Sequence, residues 1–136
     1  MNKNLLATLV LTIVLLMDSH RVYAHHSVAQ FDMEHLTDVT GIVTKFEWSN
    51  PHTYIYLDVK GDKGAGVKWI TELRSVPNLS RVGWTRDTLK PGDKIIAHGH
   101  RAKDGRAFMI IARIELANGQ VLTNGPESLS QTSHGQ

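Results

Sequence analysis

Hydrophobic and polar positions fall into three regimes along this chain. From Leu5 to Met17 every residue is apolar except two threonines. From Val39 to Leu122 apolar residues come in short runs, several alternating with polar ones, separated by clusters of Gly, Pro, Asn and Asp. From Thr123 to Gln136 the chain is Ser, Asn, Gln and Gly with one proline and little to bury. A period of two is the mark of a half-buried strand, and breaker clusters between such runs mark turns.

The alternation predicts strands at Val39–Trp48, Thr53–Lys60, Val67–Leu73, Lys94–Arg101 and Ala107–Leu116, with Gln120–Leu122 as a short closing strand. In the first, Ile42, Thr44, Phe46 and Trp48 are expected on one face, with Lys45 and Glu47 towards solvent. In the second, Ile55, Leu57 and Val59 face the core while Tyr54, Tyr56 and Asp58 face away. In the third, Val67, Trp69, Thr71 and Leu73 share a side. Pro51 removes a backbone donor and ends the first run at Ser49-Asn50-Pro51-His52. Asp104-Gly105 and Asn118-Gly119 are tight-turn signals. Pro77 to Val82 reads as a short helix, capped by Ser75 or Val76 and ended by Gly83 in a left-handed conformation. Trp84–Leu89 reads as a connector. Ser27–Asp38 shows no clean period and is expected to lie as an arm on the domain, anchored by Phe31 and Met33.

The order β-β-β-α-β-β, with short antiparallel strands, predicts an all-β domain with one short helix, specifically an OB-fold-like five-stranded barrel. A small open β-sandwich is the alternative. The expected organisation is a signal peptide over 1–24, one barrel domain over 25–122 with its arm at 25–38, and a disordered polar tail over 123–136.

The first regime changes the picture of where the protein works. The apolar run at Leu5–Met17 is shorter than the roughly 20 residues a spanning helix needs. It is followed by Asp18-Ser19-His20-Arg21 and then Val22-Tyr23-Ala24, a site acceptable to signal peptidase. The expectation is an exported protein, periplasmic or secreted, with no membrane attachment after cleavage; the chain has no cysteine to carry a lipid.

Charge adds little. The whole chain has a formal net charge of +2. Loss of Lys3, Asp18 and Arg21 leaves about one positive charge, without the clustered positive face that nucleic acid requires. Histidine is the informative residue type, at eight in the chain, and with no thiolate available any metal site must use imidazole, carboxylate or backbone groups.

Cleavage after Ala24 exposes His25 and His26 at a free α-amine. Amine and imidazole nitrogens on one residue form a chelate suited to Cu(II). A third nitrogen from the folded domain completes a T-shaped histidine brace, and His26 allows an amine–amide–imidazole chelate instead. His52 is the first candidate for the third ligand. His98 and His100 form a second candidate cluster, two apart on a strand and about 6.6 Å from one another. His35 has no context that singles it out, and His134 lies in the tail.

Catalytic signatures are absent: there is no His-Glu-x-x-His helix and no Gly-rich phosphate loop. Asp32, Asp58 and Glu72 read as single carboxylates without a visible partner. An enzyme is therefore not expected. The leading expectation is an exported copper-binding module with a carrier, buffer or accessory role. The competing one is an exported interaction module whose aromatic face, with Tyr54, Tyr56, Trp48 and Trp69, binds a protein, peptide or carbohydrate partner. Burial in the core is the stronger expectation for Trp48 and Trp69.

Several stretches taken together resemble a family of small exported bacterial proteins of unknown function. They are Ala24-His25-His26-Ser27 with Phe31-Asp32, Glu47-Trp48-Ser49-Asn50-Pro51-His52, Gly83-Trp84-Thr85-Arg86-Asp87-Thr88-Leu89-Lys90-Pro91-Gly92-Asp93, and Ala102-Lys103-Asp104-Gly105. The resemblance covers roughly His25 to Leu122. It implies secretion and a compact β-rich fold but no activity. It also puts the His-His-Ser start and the Asn-Pro-His turn in one pattern, which moves the preferred third ligand towards His52.

Overall fold

The computed structural model describes residues 2, 28–61 and 64–125. Among the described residues, strands and a short helix follow in the order β1 (Thr37–Glu47), β2 (Thr53–Lys60), β3 (Gly66–Leu73), α1 (Val76–Ser80), β4 (Lys94–Arg101), β5 (Phe108–Leu116) and β6 (Val121–Thr123). The strands pair in the order β3-β2-β1-β4-β5-β6, and a parallel β3–β5 ladder closes the first five into a barrel. The all-β class and the barrel expected from the sequence are both present. Among the described residues no helix is long and apolar enough to cross a membrane.

β1 serves both walls of the barrel. Its first half, Thr37–Ile42, pairs with β4, and its second half, Ile42–Glu47, pairs with β2. The register with β2 jumps between Val43 and Lys45, so Thr44 is the extra residue of a bulge. The bulge reverses the inward parity. Val39 and Val43 are buried before it, while Phe46 packs on the core after it. The single face expected for Ile42, Thr44, Phe46 and Trp48 is therefore wrong at its first two members: Ile42 is 41% exposed and Thr44 is exposed as well.

β5 repeats the device. Its register with β4 jumps at His98/Gly99, which leaves Ala112 as the extra residue. Met109 and Ile111 point inward before it and Ile114 after it, all three buried. On β2 and β3 the alternation holds as expected for Ile55, Leu57, Trp69, Thr71 and Leu73; Val67, near the start of β3, is exposed.

The core extends past the strands. Leu79 of α1 is fully buried, and so are Trp84 and Leu89 of the stretch that the sequence suggested was only a connector. Trp84 stacks at 6.1 Å from Phe46 and donates its indole N–H to the Thr123 carbonyl at 2.9 Å. Gly83 takes φ +93°, as a helix-ending glycine should, with Trp84 N–H donating back to Leu79 O. Asn50 supplies the N-terminal cap of α1 from a distance, its side-chain oxygen accepting from Val76 N–H at 3.0 Å.

Of the two expected arm anchors only Phe31 is buried, against Phe108 and bridging to Ala102; Met33 is 45% exposed. At the other end, the first residues of the expected tail are fixed. Asn124 is buried, its side chain accepts from Arg74 N–H at 2.8 Å, and its amide donates to Ile111 O at 2.6 Å. Apart from residue 2, the expected signal peptide lies outside the described residues, as do residues 126–136.

Candidate functional site

Histidines meet carboxylates at three places on the outer surface of this barrel. The β2–β3 hairpin pairs Thr53 with Leu73 and Tyr54 with Glu72. That register sets His52, just before β2, diagonally across from Glu72 on the outward face, where such neighbours interact. His52 Nδ1 lies 3.0 Å from Glu72 Oε1; the histidine side chain is 41% exposed and the glutamate side chain 10%. Burial raises the Glu72 carboxyl above its ordinary value, and the nearby His52 charge works against that shift. The loop holding His52 is bonded internally, with Ser49 Oγ donating to His52 O at 3.1 Å and Thr53 Oγ1 to Ser49 O at 3.3 Å.

On β4, His98 faces Asp38 of β1, the two being direct cross-strand partners, with Nδ1 2.6 Å from Asp38 Oδ1. His100 Nδ1 lies 3.0 Å from Asp32 O and 3.1 Å from His35 O. Carbonyls only accept, so the His100 proton sits on Nδ1 and is shared between them. Both rings are buried. His100 thus ties the segment before β1 down onto the barrel. His35 is exposed, with its Nδ1 2.9 Å from Asp32 Oδ2. That contact is the main reason the Asp32 carboxyl is held below its ordinary value.

The carboxylates that the sequence left without partners therefore have them: Asp32 with His35, Glu72 with His52, and Asp58 with Lys68 at 2.9 Å. Partners across a ladder are unreadable until the register is known. The Gly-rich turn at 61–66 does not fix it, since several loop lengths fit that composition.

Among the described residues the candidate ligands are not gathered at one place. His52 lies just before β2 and the His98/His100 pair on β4, two strands separated in the barrel by β1 on one side and by β3 and β5 on the other. His25, His26 and His134 fall outside the described residues. Among the described residues no group of three or more His, Asp or Glu side chains is placed to hold a metal ion. Trp48 and Trp69 pack on or in the core, while Tyr54 and Tyr56 remain half-buried on the outward face.

A family model described as "Family of unknown function (DUF6152)" covers residues 13–110. No curated protein matches the chain.

Proposed function

We propose that this chain, which belongs to that family of unknown function, is an exported copper-binding module. Cleavage after Ala24 frees the α-amine of His25. That amine and the His25 ring chelate Cu(II), with His26 beside them, and His52 supplies the third nitrogen from the barrel. A carrier, buffer or accessory role fits a chain whose residues carry no catalytic signature.

The observation that supports this reading is the setting of His52. A carboxylate 3.0 Å from Nδ1 favours the tautomer with its proton there, and it leaves the Nε2 lone pair of a 41% exposed ring for a metal. Carboxylate–histidine pairs of this kind orient metal-binding imidazoles generally. Chain length supports it too. Six peptide steps separate His25 from the anchored Phe31 and reach about 20 Å when extended. The strands from the Ala102 end of β4 round to β2 are three spacings apart, about 15 Å.

Copper titration of the processed protein tests the reading. A version with Gly-Ser-Gly-Ser placed before His25 separates the amine from the histidines and is expected to bind at least about tenfold more weakly, about 1.4 kcal/mol. His52→Ala is expected to weaken binding similarly, and His98→Ala to leave it unchanged. Equal affinity in the extended version would sink the brace. Loss on His98→Ala but not His52→Ala would move the third ligand to β4.

A further inference from the structure

At the end of the barrel remote from Phe46 and Trp48, β1 and β2 part. Their ladder stops at Ile42–Asp58, and the first half of β1 continues with β4 alone. The opening is a cleft of about 700 Å³. Val39, Gly41, Val59 and Trp69 form its apolar lining, and Lys60, Lys94 and Arg101 stand among its charged residues. Gly41 is the point of closest approach: a Cβ there would meet Asp58 O and a Val59 methyl at 3.0 Å, so glycine lets the two strands touch before they diverge.

The charges in this cleft are unevenly satisfied. Its two carboxylates are occupied, Asp38 by His98 and Asp58 by Lys68. Among the described residues no carboxylate lies within ion-pair reach of Lys60, Lys94 or Arg101. Arg101 is instead held over the Trp69 ring, 4.8 Å from its centroid. Stacking fixes the plane of the guanidinium while its N–H donors stay available at the edge, a geometry matched to carboxylates. An apolar lining with a few convergent polar groups, in a volume between about 300 and 1,000 Å³, is the usual make-up of a small-molecule site.

We infer that this cleft binds a small amphipathic anion, an aromatic carboxylate, with its ring against Trp69, Val39 and Val59 and its carboxylate on Arg101 and Lys60. The site is separate from the histidines assigned to copper and stands or falls without them. Apolar body and anionic head are both required. The ring alone would leave the stacked guanidinium unpaired, and a simple anion would gain only solvent-screened charge.

Titration of metal-free processed protein with 2-naphthoate, followed by the Trp69 indole N–H resonance and by calorimetry, is the direct test. Saturable binding is expected, weakened at least about tenfold (about 1.4 kcal/mol) in Arg101→Gln and also weakened in Lys60→Gln. Lys90→Gln, at a turn outside the cleft, should match the parent. Neutral 2-naphthalenemethanol should bind at least about tenfold more weakly than the acid. Both cleft substitutions are at exposed positions, and a thermal melt of each confirms folding. The inference is overturned by absence of saturable binding, by parent-like affinity in Arg101→Gln and Lys60→Gln, or by equal binding of the neutral analogue.

Discussion

Glu72 shows how much one side chain can depend on its neighbours across a ladder. Its backbone lies in a central strand, its side chain is nearly covered, and burial pushes its carboxyl above the ordinary 4.5. The folded protein therefore keeps this proton over a window, from about pH 4.5 upward, in which the unfolded chain has lost it. A group of that sign contributes stability at low pH and loses it as pH rises through the folded value. Glu72→Gln removes the titration. The parent's denaturation midpoint is thus expected to fall relative to that of Glu72→Gln as pH is raised from 4 to 7, and parallel pH profiles would refute it. At this scale the sequence was legible in part. The residue types were plain, and the parity placing His52 with Tyr54 and Tyr56 on the outward side agrees with the ladder. The partners were not, because Glu72 lies twenty positions from His52 and Asp38 sixty from His98. Only the pairing register brings them together.

Strand positions came directly from alternation, and the Lys94–Arg101 limits of β4 agree residue for residue with the structure. What alternation could not show were the bulges at Thr44 and Ala112. A single inserted residue leaves an apolar run looking continuous while it exchanges the two faces. In β5 the run Met109-Ile110-Ile111 is apolar on both parities, so no pattern marks where the exchange occurs. Opposite that irregularity, Gly99 sits between the two β4 histidines, and its place is dictated by space. A Cβ there would lie 2.2 Å from the Ile110 carbonyl oxygen, a backbone atom that cannot rotate away. Gly99→Ala is expected to destabilise the protein by about 3 kcal/mol, the upper range for overpacking, as read by chemical denaturation. A loss under about 0.5 kcal/mol, the scale of ordinary surface changes, would mean that β4 and β5 separate easily. The Asn-Pro-His turn also makes sense as an element. Asn50 caps α1 across the fold, and Ser49 and Thr53 brace the loop that presents His52.

Across the whole molecule, the order of elements was enough to identify the barrel, because three strands, a helix and two strands leave few ways to close a small sheet. The family match over residues 13–110 takes in all of β1 to β4 and the start of β5. Trp84 and Leu89 were harder to place. Their stretch has no period, yet it supplies two buried core side chains, since a loop packs by shape and not by alternation. Likewise Thr123 and Asn124 look like the start of a polar tail, yet they are fixed by the ladder to β5 and by contacts from Trp84, Arg74 and Ile111.

The parallel closure of β3 on β5 has a kinetic side. Ile70 to Glu72 must find Phe108 to Ile110, about 38 positions further along, whereas β2–β3 and β4–β5 are joined by short turns. Loop-closure entropy has to be met before that distant ladder returns any contact energy, so the two hairpins should form first and join late. Met109 is fully buried and lies opposite Thr71 on the closing ladder. Met109→Ala should therefore act mainly by speeding unfolding in stopped-flow experiments, while Ile55→Val, within the β1–β2–β3 meander, should slow refolding. The reverse assignment would mean that the barrel nucleates at its seam. With closure last, the half-formed sheet leaves the open edges of β3 and β5 exposed for the longest time. Those two edges are where a chain of this design is most vulnerable to pairing with another copy of itself.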